Sequence, residues 1–377
     1  MIEDGLRLVG SAQSNRAMEA ELVRITKKLL RRRPDAPRRD GTGQLAYPWD
    51  ADIAQAALTY HRTSTRVVRD LYASGARRLE PLYEELVEDV RGDDRVWHQG
   101  IGSISVEVRR VEDFAAGERQ IVGTVKNAIV DGLAQRGPRG QTVRVDAYDP
   151  DALVVARLDD RGRMLVGLDL TKGTRTRRGW RTEAGEAPLR EHVAAVMAIE
   201  ARYDPRKDLV VDPMCGAGTI AIEAALSARG APVVAGDKAP PLWPDAKPVV
   251  IAGDRDLEVL VAARHNAQRA GVDVIFQRGD LLTLDRDKIW ALAADAGAVP
   301  ERGLVLCNPP WGERLELAEA RLFYGALGDW FFGLRDFRGA FLVANPEFEA
   351  AFGGRWAMKK PLSSGPLRGY LYVYEGT

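Results

Sequence analysis

Cysteine is scarce in this chain of 377 residues: Cys215 and Cys307 are the only two. They form no CxxC pair, so neither a disulfide framework nor a zinc-binding spacing is available, and no metal is expected. Charge of one sign is also lacking. Lys plus Arg and Asp plus Glu both number 54, so overall charge announces no polyanionic partner, and any basic surface must be local. No apolar run approaches the ~18 residues that a membrane span needs. The amino terminus, MIEDGLRLVG, has neither the basic region nor the apolar core of a signal peptide. These absences argue against a secreted disulfide scaffold, a zinc module and a membrane protein. A reducing, cytoplasmic setting is the expectation. What is present, 45% hydrophobic and 29% charged residues, describes a globular protein with true cores. The length suits about two or three domains.

Residues 1–95 read as a small α+β module. Asn15 to Leu30 has helical spacing, with Met18, Leu22, Ile25 and Leu29 on one face. The stretch LLRRRPDAPRRDGTG follows, in which Arg31, Arg32, Arg33, Arg38 and Arg39 either meet phosphate or line a solvated loop. Gln44 to Trp49 suggests a strand; Asp50 to Ala73 and Leu79 to Val90 suggest two helices. Residues 96–181 read as a second α+β unit. Apolar and polar residues alternate from Ile101 to Arg110, a helix runs from about Gly117 to Ala134, and strands are expected at 143–147, 152–158 and 164–170. The unit ends in TKGTRTRRGWR, where Lys172, Arg175, Arg177, Arg178 and Arg181 surround Trp180. Cations interleaved with an aromatic suit RNA, through phosphate contacts and base stacking. An interdomain linker has the same look. Pro188 to Tyr203 is expected to be an amphipathic helix with Leu189, Val193, Val196, Met197 and Ile199 inward.

The chemistry is concentrated in residues 182–377. Leu209 to Val211 is a buried-strand run that ends in Asp212-Pro213-Met214-Cys215-Gly216-Ala217-Gly218-Thr219 and opens a helix. Glycines at a strand-to-helix turn let the backbone approach a ligand closely. Gly216 to Ala221 also satisfies the loose dinucleotide pattern GxGxxA, so a nicotinamide enzyme is a rival reading. A second strand, Val249 to Gly253, ends in Asp254, placed to accept both hydrogen bonds of a ribose diol. Asp237, after the run VVAG, competes for that role, but a full helix follows Asp254. A third strand, Val274 to Gln277, leads to Gly279-Asp280-Leu281, where the acid either accepts from an adenine amine or caps a helix. A fourth, Leu304 to Cys307, runs into Asn308-Pro309-Pro310-Trp311-Gly312. Two prolines end a strand. The turn they make offers a side-chain amide, proline carbonyls and a flat ring, the means to hold a planar base by its exocyclic amine; a Pro-rich loop with a core Trp is the plain alternative. Cys307 precedes the turn, inside the strand, and reads as core. Gly339 to Ala344 and Arg368 to Glu375 are further strands, with a turn at Pro361 to Gly365 between them.

In this order the segments DPMCGAGTIAIEAA, GDRDLEVLVAARHNAQRAGV, GDLL and NPPWGERL resemble the class I S-adenosylmethionine-dependent methyltransferases. More closely, they resemble the THUMP-domain RNA guanine-N2 methyltransferases of transfer RNA and large-subunit ribosomal RNA. The family's NPPYGERL is answered by Asn308 to Leu315 with Trp311 in place of Tyr, and RGWRTEAGEAPLREHVAA resembles its join between THUMP and catalytic domains. The resemblance runs from about Leu45 onward. It implies an α/β chain: a ferredoxin-like module (1–95), a THUMP-like RNA-binding domain (96–181) and a Rossmann-like methyltransferase domain with a mostly parallel sheet (182–377). It implies S-adenosylmethionine as cofactor. Asp212, Pro213 and the Gly216, Gly218 and Thr219 loop would hold its methionine end, Asp254 its ribose, Asp280 and Leu281 its adenine. Asn308, Pro309, Pro310 and Trp311 would hold the target base, with Asn308 also at the cofactor. RNA is the expected partner; the oligomeric state stays open, with a monomer favoured. Methylation of another amino group (adenine N6, cytosine N4 or protein glutamine) stays open, as does a retired RNA-binding protein. The N-terminal module matches weakly, and Ser364-Gly365 stands where the family usually has Asn-Gly, so the choice of RNA stays open too.

Overall fold

The structure is a computed structural model that describes residues 2–97, 101–136, 141–182, 189–297, 299–310, 317–364 and 367–376. In chain order the first elements are β1 (Ile2–Gly10), α1 (Asn15–Leu29), β2 (Arg38–Arg39), β3 (Gln44–Pro48), α2 (Ala51–Tyr60), β4 (Ser64–Ser74), α3 (Leu79–Gly92), β5 (Ser103–Arg109), α4 (Glu118–Ala134), β6 (Arg144–Val145), β7 (Ala152–Leu158) and β8 (Met164–Asp169). By internal packing the chain divides into two units. One comprises residues 1–9, 34–58 and 66–174, and the other residues 10–33, 59–65 and 175–377.

The first unit is built on an eight-stranded sheet of order β2-β3-β1-β4-β8-β7-β5-β6. Helices α3 and α4 supply Leu82, Leu86, Val90, Ile121, Val125 and Ile129 to a core shared with Ile104, Val154 and Val166 of the strands. The helix expected from Asp50 to Ala73 is corrected: it stops at Tyr60, and Ser64 to Ser74 is the strand β4. Val67, Val68, Leu71 and Tyr72 come in pairs four apart, which imitates a helical stripe. A register shift between Asp70 and Tyr72 against β8 accounts for that spacing, because a bulge interrupts the period of two.

The second unit holds α5 (Glu191–Glu200), β9 (Asp208–Asp212), α6 (Thr219–Arg229), β10 (Val249–Asp254), α7 (Leu257–Ala270), β11 (Ile275–Arg278), α8 (Arg286–Asp295), β12 (Arg302–Cys307), α9 (Leu317–Gly333), β13 (Phe337–Val343), α10 (Glu347–Phe352), β14 (Met358–Ser364) and β15 (Leu367–Tyr374). Its seven strands lie in the order β11-β10-β9-β12-β13-β15-β14. The first five are parallel, and β15 is antiparallel to both neighbours. This is the mostly parallel, Rossmann-like sheet expected of residues 182–377. One face packs on α5, α6 and α7 through Val196, Met197, Ile222 and Leu260. The other packs on α8, α9 and α10 through Ile289, Leu327, Phe331 and Phe348. A strand buried on both faces reads as a continuous apolar run, as LVV in β9 and LVLC in β12 do.

Two further expectations are corrected. The helix α5 is buried nearly all round, including Glu191 and His192, rather than amphipathic, because α1 of the same unit covers its outer side. Pro361 to Ser364 belong to β14 rather than to a turn, since the edge position next to β15 leaves the Pro361 nitrogen free of the ladder; Gly365 lies outside the described residues. Among the described residues no helix is long and apolar enough to cross a membrane.

Candidate active site

β9 lies between β10 and β12, so the chain order reverses on either side of it. Open α/β sheets have their ligand crevice at such a point, outside the carboxyl ends of the strands. Asp212, Asp254, Asp280 and Asn308 follow or end β9, β10, β11 and β12 in turn. Asp237, the competitor of Asp254, lies in a loop and caps the Ala239 N–H at 2.9 Å.

The loop after β9 is tied to the end of β10. The Cys215 N–H donates to the Gly253 carbonyl at 2.9 Å, and the Gly216 N–H donates to Asp254 Oδ2 at 3.0 Å. The loop after β11 is tied there too, by the Gly279 N–H on the Asp254 carbonyl at 3.1 Å. Asp254 therefore organises two neighbouring loops as well as ending its own strand. Gly216 and Gly218 take φ of +51° and +84°, the left-handed region that disfavours other residues. A Cβ on Gly218 would stand 3.2 Å from that of Ala263, so close helix packing demands the glycine there. A Cβ on Gly216 would meet nothing within 4 Å, so the backbone there is open to a ligand.

Asp212 is 1% exposed. Its Oδ1 accepts only a long hydrogen bond, 3.4 Å, from the Met214 N–H, and its Oδ2 is buried with no partner. Burial, reinforced by the nearby Asp254 carboxylate, pushes its pKa up to about 8. Burial likewise pushes up the thiols of Cys215 and Cys307, each beside Asp212. Cys307 is wholly buried in β12, in keeping with a packing role. Asp280 is a cap in this structure: Oδ1 accepts the Leu282 N–H at 3.0 Å and Oδ2 is paired with Arg255. Leu281 opens the short 3-10 turn that Asp280 caps. Asn308 is half-buried, Pro309 buried and Pro310 exposed. The Pro310 carbonyl accepts from the Tyr324 hydroxyl at 2.8 Å. Trp311 lies outside the described residues.

The basic cluster from Lys172 to Arg181 separates into two kinds. Lys172 and Arg177 are exposed. Arg175 is buried and donates to Ser64 Oγ at 2.9 Å, and Arg178 is buried against Glu223, its Nε 3.2 Å from Oε1. Arg181 donates to Thr219 Oγ1 at 2.7 Å and to the Leu189 carbonyl at 2.8 Å. Trp180 is 1% exposed, so its ring is packed in the core and has no face open to a base.

Some contributors went unread in the sequence. Asn266, wholly buried on α7, donates to the Ala217 carbonyl at 3.1 Å and so braces the glycine loop from behind. Its place among the inward residues Leu260, Ala263 and Ala267 was the available signal, since a polar side chain on an apolar stripe needs a partner. Tyr324 on α9 is a second contributor, through its hydroxyl on the Pro310 carbonyl. A cleft of about 940 Å³ opens elsewhere, at the amino ends of β9, β10 and β11, lined by Lys207, Val250 and Phe276 among others; it shares no residue with the site above. Among the described residues no group of three or more His, Cys, Asp and Glu could hold a metal ion.

The family described as "RMKL-like, methyltransferase domain" matches residues 178–372, which is the sheet and all the strand-end residues just described. The chain belongs to this family. The ordered strand-end motifs had pointed to it. A curated relative, the ribosomal RNA large subunit methyltransferase K/L of Chromohalobacter salexigens, is 34% identical over 353 residues, covering 84% of this chain and 46% of that protein. The chain thus spans about half the length of the curated relatives it matches. Two solved structures share the fold along nearly the whole chain. The SAH complex of SMU.472 superposes with a TM-score of 0.78 at 22% identity, covering 99% of this chain and 98% of that one. TrmN from Thermus thermophilus superposes with 0.73 at 21%, covering all of both. The methyltransferase domain therefore holds every strand-end residue in question, and the first unit is part of a fold that recurs with it.

Proposed function

We propose that this methyltransferase domain moves a methyl group from S-adenosylmethionine to the N2 amine of a guanosine in structured RNA. The observation that carries the reading is the assembly of Asp212, Gly216, Asp254 and the Asn308–Pro310 turn at the reversal point of the family's sheet. The residues present fit the cofactor. Gly216 faces open space, and the buried Asp212 Oδ2 without a partner suits a cationic ligand group such as the ammonium of a methionine end. Asp254 would accept from the ribose hydroxyls with the lone pairs left beside its backbone bonds, and the segment Asp280–Leu281 would border the adenine. When bound, S-adenosylmethionine supplies a methyl group already activated by its sulfonium.

What remains for the chain is to make a poor nucleophile react. The lone pair of guanine N2 is delocalised into the ring. The Asn308 side-chain oxygen and the Pro309 carbonyl would each accept an N2 hydrogen, aim the lone pair and stabilise charge that grows on nitrogen. Trp311 would stack on a base drawn out of its helix. No strong base is among these groups, so the proton leaves to water.

The name of the ribosomal RNA relative supports RNA as substrate, with large-subunit ribosomal RNA the first to test. On this reading residues 1–95 are a ferredoxin-like module and residues 96–181 a THUMP-like domain that guide RNA to the catalytic domain at 182–377. Lys172 and Arg177 are the exposed cations of the basic cluster. The expected setting is the cytoplasm. The test is nucleoside mass spectrometry on RNA from a deletion strain, together with methylation of that RNA by the purified protein. N2-methylguanosine lost in the first and restored in the second is expected. Methylated adenine, cytosine or protein glutamine, or S-adenosylmethionine that does not bind where NAD does, would overturn it.

A further inference from the structure

Beyond Cys307 the turn Asn308–Pro310 leaves its sheet. The β12 ladder to β9 last pairs Val305 with Val211, and that to β13 last pairs Cys307 with Phe341. Two of the three turn residues are prolines, which lack an N–H and so cannot brace the turn themselves. Its carbonyls need donors from elsewhere or from a ligand. One comes from α9: Tyr324, wholly buried, donates its hydroxyl to the Pro310 carbonyl at 2.8 Å. The ring that carries this hydroxyl is clamped edge-on by Phe323 at 5.3 Å and Phe348 at 5.4 Å between centroids. The donor therefore has little freedom to move away. Among the described residues no donor is paired with the Pro309 carbonyl.

We infer that Tyr324 is a positioning residue for methyl transfer: its hydroxyl holds the Pro310 carbonyl, and so fixes the Pro309 carbonyl and the Asn308 amide at the spacing the target amine requires. Tyr324 touches neither substrate nor cofactor. It divides the two proline carbonyls, assigning that of Pro310 to the scaffold and that of Pro309 to the amine. Burial and the neighbouring Cys307 push the phenol up to about 12, so it remains a donor throughout the working range. The inference rests on the methyltransferase reading above, though not on guanine as the target.

The test is Tyr324→Phe, which keeps the ring and removes only the hydroxyl. We expect kcat to fall about 10- to 100-fold, because a small displacement of a holding group is costly in rate. KM for RNA and Kd for S-adenosylhomocysteine should stay within about twofold. The bond is followed without activity by labelling Pro carbonyls with ¹³C and Trp amides with ¹⁵N. Only Pro48-Trp49 and Pro310-Trp311 are Pro-Trp pairs in the chain, so two signals appear and the first is an internal control. Tyr324→Phe should move the Pro310 carbonyl signal and leave that of Pro48. A Pro310 signal that does not move overturns the bond. A signal that moves while kcat holds, or a kcat loss matched by weaker cofactor binding, overturns the positioning role. If the wild type methylates another amine, the guanine reading fails alone, and Tyr324→Phe should slow that reaction equally.

Discussion

Asp212 offers a sharp test of the electrostatics of this site, through the pH dependence of stability. Its carboxyl lies at the end of β9, 1% exposed, with one oxygen unpaired. Its pKa is raised from 3.8 to about 8, by burial first and by Asp254 second. The sign follows from proton counting. Between pH 4 and 8 the folded protein holds a proton that the unfolded chain has released. The contribution of Asp212 to stability is therefore fully present below the unfolded value, falls as pH rises, and is gone above about 8. Taken whole, the displacement would be worth about 6 kcal/mol. Relaxation around the charge and water entry reduce this, and roughly 2–4 kcal/mol is the expected swing.

The perturbation that isolates it is Asp212→Asn, which imitates the neutral acid at every pH. Urea unfolding of both proteins without cofactor, at intervals from pH 5 to 9, gives the difference directly, since other groups titrate alike in each. At pH 5, about one unit above the unfolded value, the Asn variant should already lead by about 1–2 kcal/mol, since each unit is worth about 1.4 kcal/mol. By pH 9 the Asn variant should be the more stable by about 2–4 kcal/mol. A flat difference across this range would refute the reasoning, as it would mean that Asp212 is ionised in the folded protein at neutral pH.

Three further outcomes are expected. Asn308→Ala should lower kcat about 10²-fold, the scale for losing a preorganised partner of developing charge, and near-normal turnover on the RNA substrate would remove Asn308 from the reaction. Asp254→Ala should weaken S-adenosylhomocysteine binding about tenfold or more by calorimetry, while circular dichroism stays native; an unchanged Kd would reject the ribose role. Glu223 is wholly buried, 3.1 Å from Arg62 and 3.2 Å from Arg178, so Glu223→Gln strands two buried cations and should destabilise by about 3–5 kcal/mol; a urea midpoint that does not move would show that the charges are screened or solvated.

The parallel sheet was legible because its physics is local. Each of β9, β10 and β12 is a short apolar run, and all four of β9 to β12 lead directly into a turn marked by Gly, Pro or a carboxylate. The first unit was less legible, because its strands depend on partners far away in sequence. β1 was missed. It carries Arg7, which is 1% exposed and reads as a surface residue until Asp70 and Asp40 are brought to it, the latter at 2.6 Å. β4 was misread where its bulge imitates a helix. In the basic cluster before α5, a guanidinium bound for Glu223 and one bound for solvent look identical in a string of letters. Burial divides Arg178 from Arg177, and burial is not local.

The same reasoning explains why a helix from the first thirty residues belongs to the methyltransferase unit. α1 presents Glu21, which accepts from the Thr63 N–H at 2.8 Å and from its hydroxyl at 2.7 Å. Next to Thr63, Arg62 reaches Glu223 on α6 and also donates to the Pro232 carbonyl at 2.8 Å. Arg178 meets the same Glu223 and donates to the Arg62 carbonyl at 2.6 Å. A carboxylate taken wholly out of water is tolerable only when charge and hydrogen bonds surround it. For Glu223 the two cations come from two separate stretches of chain, and Glu21 of α1 holds the one that carries Arg62. α6 is also the helix whose first turn carries Gly218 and Thr219. Residues 10–33 and 59–65 thus brace the helix that opens from the glycine loop, so a boundary drawn by motif alone at residue 182 would leave that helix with Glu223 buried and its counter-ions removed.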